Sequence, residues 1–112
     1  KNGDIESVYS KEILLSNIMI YLVTKTFNTA SWIYYGRREE GGRSLPKEHL
    51  PLKVPTAIAV FPKEYLEWAP RSYGERIYNV KRWTKMSKGG HFAALEQPEL
   101  LIKDITEFSK EL

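Results

Sequence analysis

The stretch VPTAIAVF, residues 54–61, constrains the fold more than any other part of the chain. It is almost continuously apolar, carries β-branched residues and stops at Pro62. Without alternation between polar and apolar positions, it reads as a strand buried on both faces, the kind found in parallel sheets covered by helices. A short helix is predicted from Pro70 to Tyr78, where Gly74 weakens the pattern, and NVKRWTKM (79–86) follows as a second strand of mixed polarity. Strand, helix and strand make a βαβ unit, which sets the fold class as α/β. Only two strands can be read, however, and two strands alone rarely hold together in water. The pattern therefore implies the carboxy-terminal part of a larger α/β domain.

Helices flank this unit. Ser10 offers a side-chain oxygen to cap a helix in which Leu14, Leu15, Ile18, Met19 and Leu22 recur at helical spacing. Ile13, Ile20 and Val23 fall on its other faces, so such a helix needs cover on several sides. A second helix is predicted from about Asn28 to Arg38, stopping before Gly41-Gly42, and residues 41–53 read as a loop. At the far end, Pro98 suits the first position of a helix, where its missing N–H costs nothing. That helix carries the stripe Leu101, Ile105, Phe108 and Leu112, with Lys103, Asp104, Glu107 and Lys110 predicted on its polar side.

Composition narrows the function classes. With 112 residues, the chain has the length of one domain. Its net charge of +3 comes from Lys and Arg interleaved with Glu, without a basic stripe, which argues against nucleic-acid binding. There is no cysteine, so disulfides, thiolate metal sites and cysteine nucleophiles are excluded. The longest apolar run, Ile18 to Val23, is far short of the ~20 residues of a membrane span. The opening residues KNGDIES do not resemble a signal sequence, and a start at Lys1 reads as that of a processed or truncated piece.

Few residues are placed to carry chemistry. In open α/β sheets, ligands bind beyond the carboxyl ends of the strands. Glu64 follows the first strand in FPKE and His91 follows the second in KGGHF, so parallel pairing brings both to one edge. A carboxylate that orients an imidazole makes a general base, while Gly89 and Gly90 free the backbone to turn sharply. The plain alternatives are a turn or capping role for His91 and a solvated Glu64. His49, in PKEHLPLK, reads as a loop residue without a special role, and no His-His spacing suits a metal. Tyr34 and Tyr35 fit packing with a hydroxyl at the rim as well as function, and the three tryptophans fit core or interface anchors. No serine lies in a G-x-S-x-G elbow.

Three segments, taken in order, resemble a known family. LLSNIMIYLVTKTFNTASWIYYGRRE, VPTAIAVFPKE and KGGHFAALEQPELLIKDITEF are similar to parts of the epoxide hydrolases of the α/β-hydrolase superfamily, in the branch of the microsomal and juvenile-hormone enzymes. They match the end of its helical cap, its penultimate core strand with the acid loop, and its carboxy-terminal signature. The resemblance runs from about residue 10 to the end of the chain. It implies that residues 1–45 are the end of the cap and its return to the core. Residues 46–112 would then be the carboxy-terminal part of the α/β-hydrolase core, with its last two parallel strands and final helix.

The resemblance also implies roles. His91, after Gly-Gly and before Phe-Ala-Ala, takes the place of the catalytic histidine, and Glu64, 27 residues earlier, that of its charge-relay acid. Tyr34 matches a cap tyrosine that hydrogen-bonds the epoxide oxygen, or Tyr35 if the register slips by one. The reaction implied is hydrolysis of a small-molecule epoxide to a vicinal diol through an aspartyl ester, with no metal or organic cofactor. The aspartate nucleophile, the H-G-x-P segment and a second tyrosine would lie upstream of Lys1, so the chain needs the missing amino-terminal half or a self-association partner. Alternatives are an inactive remnant acting as a binding or oligomerising module, and a related hydrolase of esters or haloalkanes. A bacterial source implies a cytoplasmic protein; a eukaryotic microsomal-type parent implies membrane association through a segment outside this chain.

Overall fold

A computed structural model describes residues 3–41 and 50–112. The chain divides into two compact units, Lys1–Leu45 and Pro46–Leu112. His49 and part of the expected 41–53 loop lie outside the described residues.

The first unit is helical. After a single 3-10 turn, Ile5–Ser7, helix α1 runs over Lys11–Thr24. Ser10 caps it as expected, its Oγ accepting from the Ile13 N–H at 3.2 Å. Lys25 ends it in the left-handed region at φ 56°, and α2 follows directly over Phe27–Glu39. Tyr21 and Phe27 meet edge to face at this corner, ring centroids 6.3 Å apart. Neither helix buries a residue. Ile18, Ile20, Leu22 and Val23 of α1 and Trp32, Ile33, Tyr34 and Tyr35 of α2 are exposed, which matches a helix whose apolar residues need cover on several sides.

The second unit holds the two strands. β1 spans Leu52–Val60 and β2 spans Tyr78–Lys85, and they pair in parallel as a two-stranded sheet. Ile58 opposes Trp83 and Val60 opposes Lys85, with an irregularity between Thr56 and Ala57 where Lys81 is passed over. The connection includes only one helical turn, α3 at Arg71–Gly74, shorter than the 70–78 reading. Gly74 is buried because it faces Trp83 and Ile58: a Cβ there would lie 3.0 Å from Trp83 Cζ3. Trp68 meets Trp83 edge to face at 6.3 Å, which completes this small core.

After β2 come α4 (Ala93–Glu96), which the sequence reading missed, and α5 (Pro98–Ser109), which starts at the proline as expected. Helices with two parallel strands make this a partial α/β arrangement.

Two expectations change. β1 has an apolar sequence suited to burial on both faces, yet only Ile58 is buried and Val54 is exposed. One neighbouring strand and the helices of this unit cannot cover both sides of a strand. Of the expected apolar stripe, Ile105 on α5 and Leu112 beyond its end are exposed, while Asp104, expected off that stripe, is 6% exposed. Its carboxylate accepts from Arg82 Nε at 2.8 Å and from Thr84 Oγ1 at 2.6 Å, so hydrogen bonds rather than apolar contact hold that position against β2.

Candidate functional site: a histidine and a glutamate at the carboxyl ends of two strands

The sheet ladder does not stop at the strand ends. Lys63 forms a parallel bridge with Gly90, and the Lys63 N–H donates to the Gly89 carbonyl at 3.0 Å. The residue after each bridge partner is a polar one: Glu64 on the first loop and His91 on the second. Parallel pairing therefore sets both side chains at the same step beyond the sheet.

The close approach depends on glycine. A Cβ at Gly90 would lie 2.7 Å from the Lys63 carbonyl oxygen, closer than real Cβ contacts. Gly89 adopts φ 102°, a conformation that side-chain-bearing residues rarely take, and a Cβ there would meet Phe61 and Gln97 at 2.9 Å. Both glycines of the KGGHF motif are thus required by geometry, one for proximity and one for the turn.

His91 Nδ1 lies 2.7 Å from Glu64 Oε1. The same oxygen accepts the Tyr65 N–H at 2.6 Å. The hydrogen bond from His91 and that from Tyr65 hold the Glu64 carboxyl below its ordinary pKa, against a smaller opposing effect of desolvation. Glu64 is therefore a carboxylate at neutral pH and accepts from Nδ1–H. In a neutral ring this contact puts the proton on Nδ1 and the lone pair on Nε2. The imidazole is 65% exposed and its partner carboxylate 27%, so the acid is the more sheltered of the two. Phe92 stands edge-on to the imidazole, centroids 5.0 Å apart, and its N–H donates to Glu96 Oε1 at 3.0 Å, which ties the residue after His91 to α4.

The pair is built wholly within the second unit. Tyr34 stands on α2 of the first unit, its side chain 80% exposed, and its neighbour Tyr35 lies under the Arg38 guanidinium at 5.6 Å. Sequence reasoning expected His91 and Glu64 at one sheet edge, where they do meet, but missed the backbone donor of Tyr65 and the Glu96 contact to Phe92. Main-chain donors leave no signature in residue types, and Glu96, four residues after Phe92, falls one step past the spacing of a capping box. Among the described residues no three His, Asp or Glu side chains converge as a metal site, and no helix is long and apolar enough to cross a membrane.

The chain is similar to proteins named as epoxide hydrolases. It is 39% identical over 105 residues to juvenile hormone epoxide hydrolase 2 of Ctenocephalides felis, which covers 94% of this chain and 23% of that protein. It is 35% identical over 112 residues to epoxide hydrolase 1 of Sus scrofa, covering 96% of the chain and 24% of the relative. A putative epoxide hydrolase of Stigmatella aurantiaca is 34% identical, with 98% and 24% covered. No family model matches the chain, and no solved structure matches it. The chain spans about a quarter of the length of these curated relatives. Through almost all of its residues, this chain is a relative of the epoxide hydrolases, matched to one stretch of each.

Proposed function

We propose that this chain supplies the proton-handling part of an epoxide hydrolase that converts a small-molecule epoxide to a vicinal diol. The observation that carries the reading is the 2.7 Å contact between His91 Nδ1 and Glu64 Oε1 beyond two parallel strands. On this reading, residues 1–45 are the end of a helical cap and residues 46–112 the carboxy-terminal part of an α/β-hydrolase core.

The chemistry runs in two steps. An aspartate carboxylate attacks one epoxide carbon and the C–O bond to that carbon breaks. A tyrosine hydroxyl, which we assign to Tyr34, donates a hydrogen bond and then a proton to the departing oxygen, leaving a hydroxyalkyl ester. His91 Nε2 then removes a proton from water, whose oxygen attacks the ester carbonyl. Collapse of the tetrahedral intermediate breaks the ester C–O bond; the departing oxygen takes the proton from His91 to give the diol, and the proton left on the aspartic acid returns to the Tyr34 oxygen, restoring both groups. Glu64 holds the ring in the Nδ1–H tautomer and stabilises the imidazolium that forms.

The attacking carboxylate comes from outside these residues. Asp4 caps the first turn by accepting the Glu6 N–H, and Asp104 is engaged with Arg82 and Thr84. Neither sits in a strand-to-helix elbow.

The test is intact-mass analysis of the protein from its native source together with a diol assay on styrene oxide. Diol formation by the wild type, and a covalent adduct of one substrate mass that persists in His91→Gln, are the expected results, with ester hydrolysis slowed about 10²- to 10⁴-fold. Unchanged steady-state turnover in His91→Gln would exclude His91 as the base. Tyr34→Phe separates epoxide opening from ester or haloalkane chemistry, because only epoxide opening uses a donor to the ring oxygen.

A second reading, an inactive module that binds or oligomerises, draws on the exposed apolar side chains of α1 and α2. It requires that no diol form in the presence of any co-purifying partner.

A further inference from the structure

The ring of His91 is largely exposed, yet catalysis by a base needs placement to a fraction of an ångström. Its single side-chain hydrogen bond to Glu64 fixes one atom of the ring. What fixes the loop that carries it? That loop leaves β2 at Lys85 and ends at Pro98, so its two ends are set by how α5 lies on the sheet, where it packs against β1 and is tied to β2 through Asp104.

The contact between these elements is directional. Arg82 and Thr84 sit two apart on β2, hence on one face, and both donate to the same oxygen, Oδ1 of Asp104. Arg82 also donates from Nη1 to Glu111 Oε1 at 2.7 Å, just beyond the last turn of α5. Among the described residues no buried side-chain polar atom lacks a partner, so the Asp104 carboxylate is satisfied where it lies. Apolar contacts tolerate sliding, whereas two hydrogen bonds to one carboxylate oxygen fix both the rotation of α5 and its height along β2.

The start of α5 then touches the turn before His91. Gln97, the residue ahead of Pro98, places its Cγ where a Cβ on Gly89 would be 2.9 Å away. A shift of α5 is thereby passed to Gly89, one residue from the Gly90–Lys63 bridge and two from His91.

We propose that Asp104 is a positioning residue for His91: by locking α5 onto Arg82 and Thr84, it seats Gln97 against Gly89 and so aims the imidazole. This rests on the reading of His91 as the base that hydrolyses the ester. Asp104 itself touches no reacting atom.

The experiment measures ester formation and ester hydrolysis separately, by rapid-quench intact mass with styrene oxide, in Asp104→Asn, Asp104→Glu and Thr84→Val of the native protein. Asp104→Asn keeps the shape and removes the charge. Expected are hydrolysis slowed by about tenfold or more, ester formation unchanged, and partial recovery in Asp104→Glu. If Asp104→Asn does not fold, Thr84→Val, which removes one of the two bonds, carries the same expectation at smaller size. Equal losses in both steps, or a folded variant with unchanged hydrolysis, would overturn the proposal. His91→Gln in the same assay separates the two readings: an ester that persists there, with no effect at Asp104, removes the positioning role and leaves the base intact.

Discussion

The two units of this chain differ in where their order comes from. In the first, α1 and α2 form without burying a single residue, because a helix closes its hydrogen bonds within itself and Ser10 satisfies one of the donors left at its start. In the second, no strand can form alone: β1 exists through its pairing with β2, residues 20 or more apart in sequence, and the packed positions Ile58, Gly74, Gly90 and Asp104 all arise from that non-local arrangement. The lesson is that candidate chemistry gathers where the fold is non-local. His91 and Glu64 meet only because two strands run side by side, whereas Tyr34 needs nothing more than its own helix.

This contrast can be broken by substitution. Ile58→Ala, in the small core against Trp83 and Gly74, is expected to lower stability by about 2–4 kcal/mol in urea unfolding, the range for a buried branched side chain reduced to a methyl. A much smaller loss would mean that the second unit is no better packed than the first. Gly90→Ala forces a methyl onto the Lys63 carbonyl and is expected to cost about 1–3 kcal/mol while lengthening the His91–Glu64 contact, read by thermal unfolding and by the chemical shift of the Nδ1 proton. A wild-type shift in a folded variant would show that the two loops adjust independently.

A pH series sharpens the comparison further. Because the folded-state pKa of Glu64 lies below its ordinary value of 4.5, the stability it contributes is present above that value and fades as the pH falls through the lowered folded pKa. The stability gap between wild type and Glu64→Gln should therefore close on the acid side, in denaturation curves taken from neutral pH downward. A gap that stays constant would rule out an ionised, hydrogen-bonded Glu64. The smallest effect belongs to the first unit: Ile33→Asn, at a position 71% exposed, should change the stability of this chain by no more than about 0.5 kcal/mol. A larger loss would reveal that α2 packs against something in solution.

Much of this arrangement was legible before the structure. The nearly continuous apolar run at 54–61 announced a parallel strand, the Gly-Gly pair announced a turn, and the rule that ligands bind beyond strand carboxyl ends joined Glu64 to His91. Asp104 was not legible. It lies beside Lys103 on a helix whose apolar stripe passes elsewhere, so its neighbours suggest solvent, and only Arg82 and Thr84 on β2 explain its burial. Those two polar residues were the reason that strand read as mixed in character; paired with a buried carboxylate, they become its docking face. The single turns α3 and α4 escaped because four residues are too few to show a helical period. The exposure of β1 is the reverse case, in which the sequence describes surroundings that its one neighbouring strand does not supply.

The bridge between Lys63 and Gly90 has one more consequence, for motion. Loops usually fluctuate independently, and two residues on separate loops drift in and out of register on the nanosecond scale. Here the acid and the imidazole are each one residue from a shared backbone link, reinforced by the bond from Lys63 to Gly89. Displacement of that edge of the sheet carries both side chains in the same direction, so the movement cancels in the distance between them. The pair can ride on a mobile rim and still stay matched.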